Sequence, residues 1–179
     1  MILKIMMSES QFLDTYSVED LHRQLTGLMQ AGLATLLLNG SAVAQTNVGT
    51  FRPQTRAPVS LGSYAPDQWV FFGAWDEFTV YNRALAPAEL QAIVAADAAG
   101  KCVPPQICAP PPLDFVAWWR GESNVLDHVD SHEGSITPPI EFRGGEVGRS
   151  LFFSRGGYVR VPASSGLDVG RGDGFTLEA

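Results

Sequence analysis

"AWDEFTVYNRALAPAELQAIV", residues 74–94, is the stretch on which the fold turns. Phe78 and Val80 alternate with Glu77, Thr79 and Tyr81, the period-two pattern of a strand with one face toward a core. A short helix is predicted to follow. Pro87 suits the first helical position, Glu89 places a carboxylate against the helix dipole, and Leu90, Ile93 and Val94 form one apolar stripe. With Ala86 as cap, Leu85 and Leu90 have the spacing of a hydrophobic staple, and Gly100 ends the helix. A strand running into a closing helix is how a sandwich domain ends, yet the chain continues to residue 179. A later stretch, "FVAWWRGESNVLDHVD" at 115–130, reads as a beginning.

Working outward, "LATLLLNGSAVAQT" contains Asn39-Gly40 between two apolar runs. That pair accepts positive φ at both turn positions, which predicts a hairpin. Asn39-Gly40-Ser41 is also a glycosylation sequon, and the turn accounts for it without a glycan. Further strands are expected in "APVSLG" (57–62), "WVFFGAWDEFTVYN" (69–82) and "FVAWWR". "RSLFFSRGGYVRVP" suggests a hairpin about Arg155 to Gly157, with "GESNVLDHVDSHEGS" as a polar loop. "KCVPPQICAPPPLD", 101–114, holds five of the twelve prolines and both cysteines, and reads as a stiff linker. An even cysteine count suits an oxidising compartment, and Pro104-Pro105 can turn the chain, so a disulfide between Cys102 and Cys108 is expected.

Composition narrows the function classes. A net charge of −7, with no basic patch interleaved with aromatics, argues against nucleic acid as a partner. No apolar run approaches the roughly 20 residues that span a bilayer. Residues 23–44 do imitate an export signal, with Ala42-Val43-Ala44 as a small-residue cleavage pattern. The acids Glu9, Asp14, Glu19 and Asp20 stand where such a signal is basic.

Taken in order, "LHRQLTG", "ATLLLNG", "FRPQTRAPVSLG" and "WDEFTVYNRALAPAEL" resemble the C-terminal half of the LamG-like jelly-roll family, the concanavalin A-like sandwiches. "WWRGESNVLD", "FRGGEVGRSLFFSRGGYVRVP" and "GDGFTLEA" resemble the N-terminal part of the same family. The expected organisation is an unassigned segment (1–18), the C-terminal half of one copy (19–101), a Pro/Cys linker (102–114) and the N-terminal part of a second copy (115–179). The fold class implied is all-β, a jelly-roll β-sandwich that is incomplete and permuted in order, with one short helix near 87–99. In that family the first and last strands are neighbours. "FVAWWR" is therefore expected to pair with "DEFTVYN", burying Phe115, Val116, Phe78 and Val80.

The resemblance implies a calcium site at Asp76 and Asp127, chemistry that hard carboxylate and carbonyl oxygens on loops support. Asp127, His128, His132 and Glu133 would face a zinc ion only on a helix, and the stretch has no helical period. Arg171-Gly172-Asp173 spells a tripeptide associated with integrin recognition, in a place that also suits a polar turn. Among the aromatics, Tyr64 and Trp69 lie in a loop and are the expected ligand-binding residues. Trp118 and Trp119 alternate along a strand, so at least one belongs to the core.

No strand carries alternating acids, and no Gly-x-Ser-x-Gly elbow is present, so the chain is not expected to be an enzyme. The expected role is a binding or adhesion module of a secreted or cell-surface multidomain protein. Its partners would be a glycan, an extracellular protein or neighbouring LamG-like repeats. Alternatives are a spacer repeat without ligand and an accessory domain of a carbohydrate-active enzyme.

Overall fold

The computed structural model describes residues 25–49, 57–63, 70–101, 108–169 and 174–179. Twelve strands occur among them: β1 Leu25–Gln30, β2 Leu33–Leu38, β3 Ser41–Asn47, β4 Val59–Leu61, β5 Gly73–Trp75, β6 Phe78–Tyr81, β7 Phe115–Trp119, β8 Ser135–Thr137, β9 Ile140–Gly144, β10 Arg149–Phe153, β11 Tyr158–Val161 and β12 Gly174–Glu178. One α-helix, α1 (Pro87–Ala96), runs on into a 3₁₀ turn at Asp97–Ala99. Every strand pairing is antiparallel. The all-β class with one short helix is thus the architecture observed.

Six strands form one sheet in the order β3-β2-β1-β12-β6-β7, and two three-stranded sheets run β5-β10-β9 and β4-β11-β8. Each sheet takes strands from both sides of the linker. β12 lies between β1 and β6, with Leu28 opposite Thr176 on one side and Val80 opposite Leu177 on the other. β6 pairs with β7 as expected, Phe78 opposite Trp119 and Val80 opposite Ala117. The chain therefore folds as one intermixed unit, in which the strand before the linker and the strand after it share a ladder.

The core explains this arrangement. Phe78, Val80, Ala117, Trp119, Phe175 and Leu177 of the large sheet pack with Leu61, Leu151, Phe153, Val159 and Val161 of the small sheets. Burying a side chain of this size stabilises by about 1.5–3 kcal/mol. The other face of the large sheet is also covered, where Leu37 and Tyr81 meet Leu85, Leu90 and Ile93 under α1, with Phe115 beside them. Phe78 and Val80 are buried, whereas Phe115 and Val116, at the start of β7, are only half-buried. Glu77, Thr79 and Tyr81 are buried too, so the alternation in this strand separates two covered faces rather than core from solvent.

The helix starts as its sequence requires. The Ala86 N–H donates to the Glu89 carboxylate at 2.8 Å, and Arg83 grips the same carboxylate with two hydrogen bonds of 2.7 Å. Leu85 and Leu90 are both buried, completing the staple. Asn39 and Gly40 take φ of 48° and 72° between β2 and β3, the positive pair that a two-residue hairpin needs. A second such turn, Ala31-Gly32 between β1 and β2, carries no comparable sequence signal.

One expectation is corrected. Ser154–Gly157 does form a tight turn, closed by a 3.0 Å hydrogen bond from the Gly157 N–H to the Ser154 carbonyl, but no hairpin extends from it. β10 is flanked by β5 and β9, and β11 by β4 and β8, so both strands have their edges filled by other partners. The turn carries the chain from one sheet to another. Trp118 and Trp119, of which at least one was expected in the core, are both buried. The stretch resembling an export signal forms β1, β2 and most of β3, so cleavage after Ala44 would remove two strands of the large sheet.

Candidate functional site

β5 and β6 are separated by Asp76 and Glu77, and Glu77 takes a φ of 54°, uncommon for a non-glycine residue. The break points both carboxylates into protein. Glu77 accepts hydrogen bonds from the Trp118 indole at 3.0 Å and from Arg120 at 3.4 Å. Burial pushes its carboxyl up to about 7, against the pull of the Lys101 charge. The Lys101 ammonium contacts the Glu178 carboxylate and donates to the Glu77 carbonyl at 3.1 Å. Arg120 lies over the Trp118 ring, 5.4 Å from its centre.

This cluster joins Glu77 and Lys101, which precede the linker, to Trp118, Arg120 and Glu178, which follow it. Glu77, Lys101, Trp118 and Glu178 are all buried, so the cluster serves as a fastening and offers no open surface to a substrate. Sequence reasoning passed over it because its members are 101 positions apart from first to last, counting Glu77 to Glu178, and meet only once the sheet has formed.

Asp76 stands beside this cluster. One of its oxygens accepts the Val147 N–H at 2.8 Å, while its other oxygen is buried without a hydrogen-bond partner. Burial raises its carboxyl to about 6, offset in part by the Val147 N–H and reinforced by the nearby Glu122 charge. Gly145 approaches so closely that a Cβ there would come within 2.4 Å of the carboxylate.

Asp127, the other expected calcium ligand, is differently employed. Its Oδ1 accepts the backbone N–H groups of Trp118 at 2.8 Å and Val129 at 3.0 Å. Its Oδ2 accepts the Asp130 N–H at 3.2 Å and meets His132 Nδ1 at 2.8 Å. Four partners on a carboxylate with no exposed surface organise the 127–132 loop without any metal. The donor set does not fit calcium, which takes six to eight oxygens. Asp76 has one unshared oxygen and Asp127 none, and among the described residues no three His, Cys, Asp or Glu side chains converge. For His128 and His132 the same finding holds, with His128 placed against the Trp118 ring at 6.0 Å.

Tyr64 and Trp69 lie outside the described residues, as do Cys102 and Arg171-Gly172-Asp173. The Phe71 N–H donates to the Gly62 carbonyl at 2.8 Å. Val70, Phe71 and Phe72 are exposed, Phe72 at 72%. Phe72 meets Phe152 edge to face at 5.5 Å, and the Arg143 guanidinium lies 3.5 Å from the centre of the Phe152 ring. Arg143 in turn is held by Glu141 at 2.9 Å. Leu151 and Phe153 point into the core, so Phe152, between them on β10, is turned to the outside of β5-β10-β9. That alternation was present in "RSLFFS" and identifies Phe152 as outward-facing; Arg143 came into view only with the pairing of β9 and β10.

At the linker, the Ala109 N–H donates to the Gly100 carbonyl at 3.1 Å, and Lys101 bridges to Ala109. The residues just outside Cys102 and Cys108 are thus held together. Among the described residues no helix is long and apolar enough to cross a membrane. Comparisons with protein-family models, with curated proteins and with solved structures find no match to this chain.

Proposed function

We propose that this chain is a non-catalytic binding module of LamG-like type, belonging to a secreted or cell-surface multidomain protein, and that it binds a glycan or an extracellular protein. The observation that carries this reading is the exposed surface of Val70, Phe71 and Phe72 against Phe152 and Arg143, which follows Tyr64 and Trp69 in the sequence. A cluster of exposed aromatics flanked by a charged fork suits stacking on an apolar ligand face with hydrogen bonds at its rim. The order of LamG-like motifs supports the family assignment, and so does a topology in which "FVAWWR" lies next to "DEFTVYN". Burial of Glu77 and Glu178 supports a binding role over a hydrolytic one, since neither can reach a substrate. Glycan-array and pull-down binding of the parent, lost on Phe72→Ala or Trp69→Ala with the thermal midpoint unchanged, is the expected result. Full binding by both variants would remove this surface from consideration. Absence of any ligand across both assays would favour the spacer-repeat alternative.

A further inference from the structure

The two edges of the six-stranded sheet are treated differently. At the β7 edge the outward backbone is occupied: the Trp118 N–H donates to Asp127, and the Trp118 carbonyl accepts the His128 N–H at 2.9 Å. At the other edge, all seven residues of β3 are exposed, with Leu33, Val43 and Val48 of the same hairpin adding apolar surface. From Leu33 to Asn47 there is no charged residue and no proline, so two of the usual guards of an edge strand are missing. A bulge interrupts the ladder at Val43, where Leu36 faces Ala44 and Leu37 faces Ala42, leaving a regular run from Ala44 onward.

We propose that the Ala44–Asn47 run of β3, with the adjoining Val48, pairs antiparallel with the same run of a second copy of this chain, across a two-fold axis at Thr46. The Val48 N–H donates to the Gly32 carbonyl at 2.9 Å, so alternation of an antiparallel ladder turns the backbone of Thr46 and Ala44 toward β2 and that of Gln45 and Asn47 outward. Centring on Thr46 sets Gln45 opposite the partner's Asn47, and Asn47 opposite the partner's Gln45. Each pair exchanges two backbone hydrogen bonds. The axis brings Thr46 against its own counterpart, a favourable cross-strand pair. In a chain of net charge −7, copies repel over most of their surface, and this charge-free strand is where self-approach is opposed least. Because the β7 edge is occupied at Trp118, the association closes at two copies and does not propagate.

Sedimentation of the parent chain over a concentration series tests this, alongside Thr46→Lys and Thr46→Glu. Thr46 is exposed, so neither substitution disturbs the core. The parent is expected to show a reversible monomer–dimer equilibrium. Each variant alone is expected to be monomeric where the parent is dimeric, because like charges meet across the axis. An equimolar mixture of the two is expected to restore the dimer. A parent that stays monomeric, assembles without a dimer plateau, or dimerises undiminished with Thr46→Lys would overturn the proposal. So would a mixture of the two variants that fails to dimerise.

Discussion

The Lys101 ammonium and the Glu178 carboxylate meet inside the protein, each at most 3% exposed, and tie the chain just before the linker to the last strand. Lys101→Met leaves Glu178 buried without its cation, a loss of roughly 3–5 kcal/mol for a pair broken on one side. The double variant Lys101→Met/Glu178→Met is expected to recover most of that loss, since apolar replacement of both ions removes the desolvation cost. Urea unfolding of the four proteins in this cycle gives the coupling directly. Additive losses from the two single changes would contradict it.

How much of this was legible in the sequence follows from how local each signal is. The Asn39-Gly40 turn and the staple from Leu85 to Leu90 depend on neighbouring residues, and both formed where their spacing placed them. Burial of Tyr81 was hidden because a strand's alternation separates its faces without saying whether the second face is covered, and here Leu85, Leu90 and Ile93 cover it. Arg155 to Gly157 gave a turn but not its strand partners, because pairing of β10 and β11 is set by strands distant in sequence. Asp127 was recognisable as an acid in a loop, but the four partners that occupy it come from the fold of that loop onto β7.

Stability is expected to fall as pH rises from about 4 to 8. Burial holds Asp76 at about 6 and Glu77 at about 7, above their ordinary values of 3.8 and 4.5. Below those ordinary values both groups are protonated in folded and unfolded chains alike, and neither opposes folding. Between the ordinary and raised values the unfolded chain releases its protons first, so folding is progressively disfavoured until the folded groups ionise as well. The thermal midpoint should be higher at pH 5 than at pH 8, and Glu77→Gln should flatten the slope. A midpoint that climbs through this window would contradict the buried placement of these acids.

Cys102 and Cys108 are expected to be joined in protein made in an oxidising compartment. The Gly100–Ala109 hydrogen bond and the Lys101–Ala109 bridge already bring the flanking chain together. A loop of this size, closed by a disulfide, stabilises by about 2 kcal/mol through the unfolded chain's lost freedom. Non-reducing peptide mapping should return one linked peptide spanning 102–108. Two alkylatable thiols in material from an oxidising compartment would count against the pairing.

The central claim is that strands from both sides of the linker share one sheet within a single chain, with Leu177 of β12 opposite Val80 of β6, and Val80 opposite Ala117 of β7. Nuclear Overhauser spectroscopy on labelled chain diluted into unlabelled chain tests this without interference from association. Cross-strand contacts from Val80 to both Leu177 and Ala117, undiminished by the dilution, are the result expected. Contacts that vanish on dilution, or that never link residues 78–81 to 115–119 and 174–178, would mean that the two halves do not complete one another in the same chain.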